Sequence, residues 1–241
     1  MNHSFFSGCF MSVLGHFQPV DVCSFSSMGH LLRFGFSAMF GFGGRALSLA
    51  ERHRWMPPNQ RREFALIKTL AKLKAEQYRD GGDIYEDSSW QSREGLFLNI
   101  SIMAIPCLCS TAPRGLAPNT RLNNGSMALI SVGNTSRSEF IKHLKRYGST
   151  NNQFGFSFIE ARCVTMVRLR PRSQDLTEET EESDSKHAPI ICSERTFPWN
   201  IDGDLLVAPG ELLIRVHPRL LTLFGADVEE TEESPVKCSC I

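Results

Sequence analysis

Apolar positions along the chain recur with the period of a strand more often than with that of a helix. Val20–Ser27 is an apolar run of strand length. In Leu31–Phe42 the aromatic residues Phe34 and Phe36 alternate with Gly35, which predicts a further strand ending at Gly41, Gly43 and Gly44. Leu96–Cys109 predicts a long strand and Met127–Val132 a short one. Phe154–Arg170 alternates as a strand or hairpin, and Trp199–Leu206 and Leu212–Leu223 flank a turn. Helical spacing is confined to three places. Arg45–Trp55 follows the glycines. In Arg61–Glu76, Phe64, Ile67, Leu70, Ala71 and Lys74 follow helical spacing, with Lys and Arg on the far face. Ser138–Tyr147 is the third, with Ser138 as N-cap.

Between these elements the chain is polar. Residues 77–94 carry two glycines and predict an exposed loop, and 112–125 predicts an irregular segment ending in the Asn123–Asn124–Gly125 turn. Residues 172–195 hold six carboxylates between Asp175 and Asp184 and predict a disordered acidic loop. The expected organisation is a divergent segment 1–18, one domain over 19–226, and an acidic tail 227–241. Strands outnumber helices, and the helices fall between strand pairs. This predicts a β-rich α+β domain and not a parallel doubly wound sheet.

Charge excludes one class of partner. Lys plus Arg and Asp plus Glu are 26 each, so no basic excess favours nucleic acid. The distribution is uneven, with basic stretches at 51–79 and 137–146 and acidic ones at 175–184 and 227–233. The eight cysteines include no Cys-x-x-Cys pair and no His at zinc spacing, so thiols in a reducing compartment are expected, and no metal site. Cys107 and Cys109 read as core residues of a strand. The four Asn-x-Ser/Thr triplets at Asn2, Asn99, Asn124 and Asn134 read as chance matches. No segment has the length and apolarity to span a bilayer as a helix. His143, on a basic helix, is expected to be solvated. The expected setting is the cytoplasm, with a membrane surface or the nucleus as alternatives.

Several segments resemble the diacylglycerol kinase, sphingosine kinase and ceramide kinase superfamily, and within it the ceramide-kinase-like branch. They are LLRFGFSAMFGFGGRALSLAERHRW, FLNISIMAIPCLCSTAPRGLAPNTRLNNGSMALI, NTSRSEFIKHLKRYGS, FPWNIDGDLL and IRVHPRLLTLFG. Together they cover most of residues 19–226. The resemblance implies a fold. These kinases join an N-terminal α/β domain to a C-terminal β-sandwich-like domain, in the NAD kinase and diacylglycerol kinase manner, with ATP in the cleft between. This chain matches the second domain.

The resemblance also implies chemistry. Phosphoryl transfer needs magnesium and cations on the phosphates, and a carboxylate to take the lipid hydroxyl proton. The family's Gly-Gly-Asp-Gly nucleotide loop does not occur in the sequence. Gly81–Gly82–Asp83 is a partial match in the wrong context, followed by Ile84–Tyr85. Asp202, Gly203 and Asp204 match the acidic motif that faces nucleotide and metal, although Asp-Gly between apolar runs is equally a hairpin-turn signal. Arg54 and Arg61 match phosphate-contacting arginines, or else lie on a solvated basic face. Arg45 stands where the family has an acid near the lipid headgroup. Phe34 and Phe36 are candidates for a lipid slot or for plain sheet core. The family's Asp-Gly-x-x-Asp loop reads here as Asn124–Gly125–Ser126–Met127–Ala128, with both acids lost, and Asp204 replaces the usual Glu.

The expectation is a truncated ceramide-kinase-like protein without catalytic activity that keeps lipid or partner binding. ATP and Mg2+ would serve only alongside an N-terminal domain. Two alternatives remain: an ATP-dependent kinase of ceramide or sphingoid lipids, and a non-catalytic interaction module in stress or sphingolipid signalling.

Overall fold

The computed structural model describes residues 17–83, 90–109, 111–117, 119–149, 153–171 and 196–224. The segment 1–16, the whole acidic loop 172–195 and the tail therefore lie outside the described residues. Among the described residues, eleven strands and three helices follow in order: β1 Phe17–Ser27, β2 His30–Gly35, β3 Ser37–Gly41, α1 Phe42–Arg52, α2 Pro58–Ala71, β4 Glu76–Asp83, β5 Trp90–Met103 and β6 Met127–Gly133. Then come α3 Arg137–Arg146, β7 Ile159–Val164, β8 Met166–Pro171, β9 Thr196–Ile201, β10 Asp204–Pro209 and β11 Leu212–Phe224.

One strand divides the hydrogen-bonded network into two antiparallel sheets. The first half of β5 pairs with β4. Its second half pairs with β3 on the same edge and with β6 on the other. One sheet thus runs β10-β9-β3-β5-β6-β7 and the other β5-β4-β8-β11-β1-β2. Between them lies a single apolar cluster that takes Phe25 from β1, Phe40 from β3, Ile100 and Ile102 from β5, Leu169 from β8, Trp199 from β9 and Ile214 from β11. The arrangement is a β-rich sandwich with few helices, the fold class that the sequence implies. Trp199 and Phe40 meet at its centre, ring centroids 4.7 Å apart.

A bulge in β5 explains why its alternation does not run straight through. Pairing with β6 shifts register between Phe97 and Asn99. Phe97 and Ile100 therefore both face the inter-sheet core, while Leu98 turns to a second cluster with Phe42, Val132 and Phe140. An extra residue in one strand reverses the parity of everything beyond it. This second cluster lies where Leu70 of α2 and Leu144 of α3 cover the outer face of the first sheet. With both faces covered, the first six residues of β6 are all buried.

Several boundaries differ from the sequence expectation for local reasons. The run Leu31–Phe42 is not one strand. It breaks at Phe36, and β2 and β3 belong to different sheets. Helix α1 begins at Phe42, with Gly43 and Gly44 inside it. Gly44 is there for proximity, since a Cβ would stand 2.0 Å from the Pro198 carbonyl oxygen of β9. Helix α2 begins at Pro58, where the lost N–H costs nothing. Ser136, and not Ser138, caps α3: its hydroxyl accepts from the Glu139 N–H at 3.3 Å, in a Ser-x-x-Glu box. Residues 77–94 are no loop at both ends. Backbone ladders join β4 to β5 and to β8, so the Gly81–Gly82–Asp83 segment is strand. Cys107 lies outside any strand with φ 55°, and Cys109 forms only an isolated bridge with Ala112.

His143 is buried, 2% exposed, and not solvated. Its ring packs against Tyr147 at 4.9 Å, with Phe140 and Phe156 at 6.1 Å. Loss of hydration lowers its pKa to about 4.

Candidate functional site

The Asp202–Gly203 pair forms the turn of the β9–β10 hairpin. Asp204 pairs with Ile201, and both central residues have positive φ, 51° at Asp202 and 86° at Gly203. Two consecutive positive values are what a two-residue type I′ hairpin requires, and Asp-Gly supplies them cheaply. The hairpin-turn reading of this motif therefore holds.

The Asp202 side chain has a second task. Its carboxylate accepts from the Phe36 N–H at 2.9 Å, the Ser37 N–H at 2.8 Å and the Ser37 hydroxyl at 2.9 Å. Its own N–H donates to the Ser37 carbonyl at 3.2 Å. Phe36 is the point at which the chain leaves one sheet for the other. The backbone N–H groups of this crossing have no ladder partner at that place, so a carboxylate supplies one. Asp204, two residues on, points elsewhere and pairs with Arg33 at 3.3 Å at the exposed rim. The two acids that the resemblance implies for metal are thus divided between a backbone clamp and a surface ion pair. Among the described residues no three His, Cys, Asp or Glu side chains converge as a metal site. The two carboxylates are turned to different partners and not to one point.

The candidate arginines belong to the two-helix unit α1–α2. Arg54 follows the end of α1, exposed, and pairs with Glu51. Arg61 is half-buried in the first turn of α2. Arg45, in α1, donates to the Lys74 carbonyl at 2.7 Å and so ties α1 to the segment after α2. The charge-reversed position holds two elements together. Phe34 is half exposed, with its ring edge-on to His217 at 5.9 Å; Phe36 is half-buried in the crossing.

The degenerate loop is held by a residue that the sequence reading did not single out. Asp21 is fully buried in β1. Its two carboxylate oxygens accept from the Gly125 N–H at 2.6 Å and the Arg219 N–H at 2.8 Å, and its own N–H donates to the Leu122 carbonyl at 2.6 Å. Beside it, Asn124 accepts from the Ser126 N–H at 3.1 Å, and Ala128 is buried in β6. A lone acid between Val20 and Val22, in an apolar strand, was the available signal, because an unpaired buried carboxylate is too costly to keep. Asn99 likewise has a structural task. Its amide accepts from the Gly43 N–H at 2.9 Å at the start of α1 and donates to Ser101 at 2.8 Å.

Comparison with known proteins agrees with this architecture. The family model for the ceramide kinase C-terminal domain matches residues 36–80 and 78–241. Human ceramide kinase-like protein is 56% identical over 236 residues, covering 90% of this chain and 42% of its own length. Human ceramide kinase is 28% identical, covering 90% of this chain and 50% of its own. The chain spans about half the length of the curated relatives it matches. A solved structure from Bacillus anthracis str. Sterne, provisionally assigned as a diacylglycerol kinase, superimposes with a TM-score of 0.56 at 13% identity. It covers 90% of this chain and 59% of its own and shares the fold.

Proposed function

The chain belongs to the ceramide kinase C-terminal domain family, and from that premise we propose that it provides the β-rich half of a ceramide-kinase-like fold that binds a ceramide-type lipid without transferring phosphate. The observation that carries the reading is the commitment of Asp202. Both its oxygens are held by the Phe36–Ser37 backbone and hydroxyl. Its neighbour Asp204 is turned to Arg33. Releasing Asp202 for a cation would strip the sheet crossing of its acceptors. Arg45, engaged on the Lys74 carbonyl, and the Asn124–Ala128 loop support the same conclusion, since neither offers the acid found in the family pattern. The apolar side chains at the sheet edge, Leu31, Leu32 and Phe34, are exposed and suit the lipid's hydrocarbon portion.

The test compares two ligands on the same chain. A short-chain fluorescent ceramide is expected to bind saturably, while Mg-ATP gives no heat in calorimetry and no labelled phosphate passes to ceramide. Phosphoryl transfer above a boiled control would overturn the non-catalytic reading and restore an ATP-dependent lipid kinase. Absence of both binding events would leave a protein-interaction role.

A further inference from the structure

Helix α2 buries only part of its apolar surface. Its buried positions are the small residues Ala65, 1% exposed, and Thr69, 6% exposed, one helical turn apart. Leu70 packs on the sheet and Phe64 on His53, but two of its large side chains face outward: Ile67 is 66% exposed and Leu66 44%. The corner joining α1 to α2 carries Trp55, 80% exposed, the most exposed of the large apolar groups among the described residues. Three bulky apolar groups thus project from a two-helix corner that the sandwich does not cover.

The surroundings say what covers them. Between residues 51 and 74 there are seven Lys and Arg against two Glu, in a chain whose totals balance at 26 and 26. One of the two, Glu51, is already paired with Arg54. Arg52, Arg62, Lys68 and Lys72 are exposed on the same two-helix unit. A second copy would set one basic corner against another, and protein interfaces are poor in Lys. An exposed Trp and exposed aliphatic groups on a two-helix unit that also carries exposed Lys and Arg are the pattern of a bilayer interface.

We propose that the α1–α2 corner docks on an anionic phospholipid surface, with Trp55, Leu66 and Ile67 at the headgroup–acyl boundary and the basic side chains on the lipid phosphates and carboxylates. This deepens the lipid-binding reading by bringing the fold to the surface where such a lipid resides. It does not depend on ATP.

The test uses the full chain with vesicles free of ceramide, so its outcome is separate from ceramide binding. Co-sedimentation is measured with vesicles of phosphatidylcholine alone and of equal phosphatidylcholine and phosphatidylserine. Binding is expected on the mixed vesicles, to weaken with added salt, and to fall roughly fivefold for each unit of positive charge removed, so by more for the reversal Lys68→Glu. Ile67→Asp and Trp55→Ala are expected to abolish it with the melting temperature unchanged, because both side chains are exposed. Should Ile67→Asp fail to fold, Lys68→Glu still decides. Equal sedimentation with both vesicle types, or binding unaffected by these changes, would overturn the proposal. So would a wild-type dimer that Ile67→Asp converts to monomer without any vesicle binding, which would make the occupant a second copy.

Discussion

Gly35 and Asp202 fit together only because one of them has no side chain: a Cβ on Gly35 would stand 2.4 Å from the Asp202 Oδ2 atom, with Ile201 and Phe25 also at 3.2 Å. The end of β2 and the turn of β9–β10 are therefore mutually fitted, and the clamp on Phe36 and Ser37 depends on the fit.

Gly35→Ala is expected to cost about 1–3 kcal/mol by overpacking, and Asp202→Ala a similar amount through lost charge-assisted hydrogen bonds, about 1.5–3 kcal/mol. The double variant should cost less than the two together, because the Cβ no longer meets the carboxylate. Urea unfolding of all four proteins measures the coupling; simple additivity would show that the two sites are independent.

Asp21→Ala removes the acceptor of two backbone N–H groups at a fully buried position. A loss of about 3 kcal/mol is expected. Amide hydrogen exchange should localise it, with faster exchange at Gly125 and Arg219 and none of the change at Phe36.

His143 gives stability a pH dependence. Burial lowers its pKa from 6.5 to about 4. Between these values the unfolded chain binds the proton and the folded chain does not, so unfolding is favoured as pH falls. This contribution is fully present above about pH 6.5 and is lost progressively toward pH 4, up to roughly 3 kcal/mol. His143→Phe should flatten that segment of the stability–pH curve in thermal melts. An unchanged slope would assign it to other groups.

The thiols should differ in reactivity. Cys23 is buried beside Met127 Sδ at 3.6 Å, and burial raises its pKa to about 12, whereas Cys163 is exposed. Brief alkylation with N-ethylmaleimide followed by peptide mapping should label Cys163 and leave Cys23 unmodified until the protein is denatured.

Strand identity was legible from the alternation of Phe197, Trp199 and Ile201 in β9 and from the short apolar run of β6. The β-rich fold class followed from those runs and from the family resemblance. Local geometry was not legible. Gly44 looks like a helix breaker until Pro198 is known to lie against it, and β4 gives no apolar signal because its pairing is satisfied by backbone ladders on both edges. His143 looks solvated among its basic sequence neighbours because Phe156, which closes over it, comes from beyond the helix and is not displayed by the helical pattern. For the site, the sequence located Asp202 and offered both of its readings. Which atoms would claim the carboxylate was decided by the crossing at Phe36, a tertiary event. Asp21 was visible as an anomaly in an apolar strand, but not as the fastening of a loop a hundred residues away.

The pairing of β1 with β11 joins Phe17 to Phe224, with ring centroids 4.9 Å apart. On a ribosome this means waiting. At usual elongation speeds β11 emerges on the order of ten to forty seconds after β1. Throughout that interval the edge of β1 that β11 will cover stands open, along Val22, Cys23 and Phe25, all buried once the pairing forms. Newly made chains are therefore expected to need a holding chaperone until the last strand arrives, and the yield of folded protein should follow chaperone supply more closely than intrinsic stability.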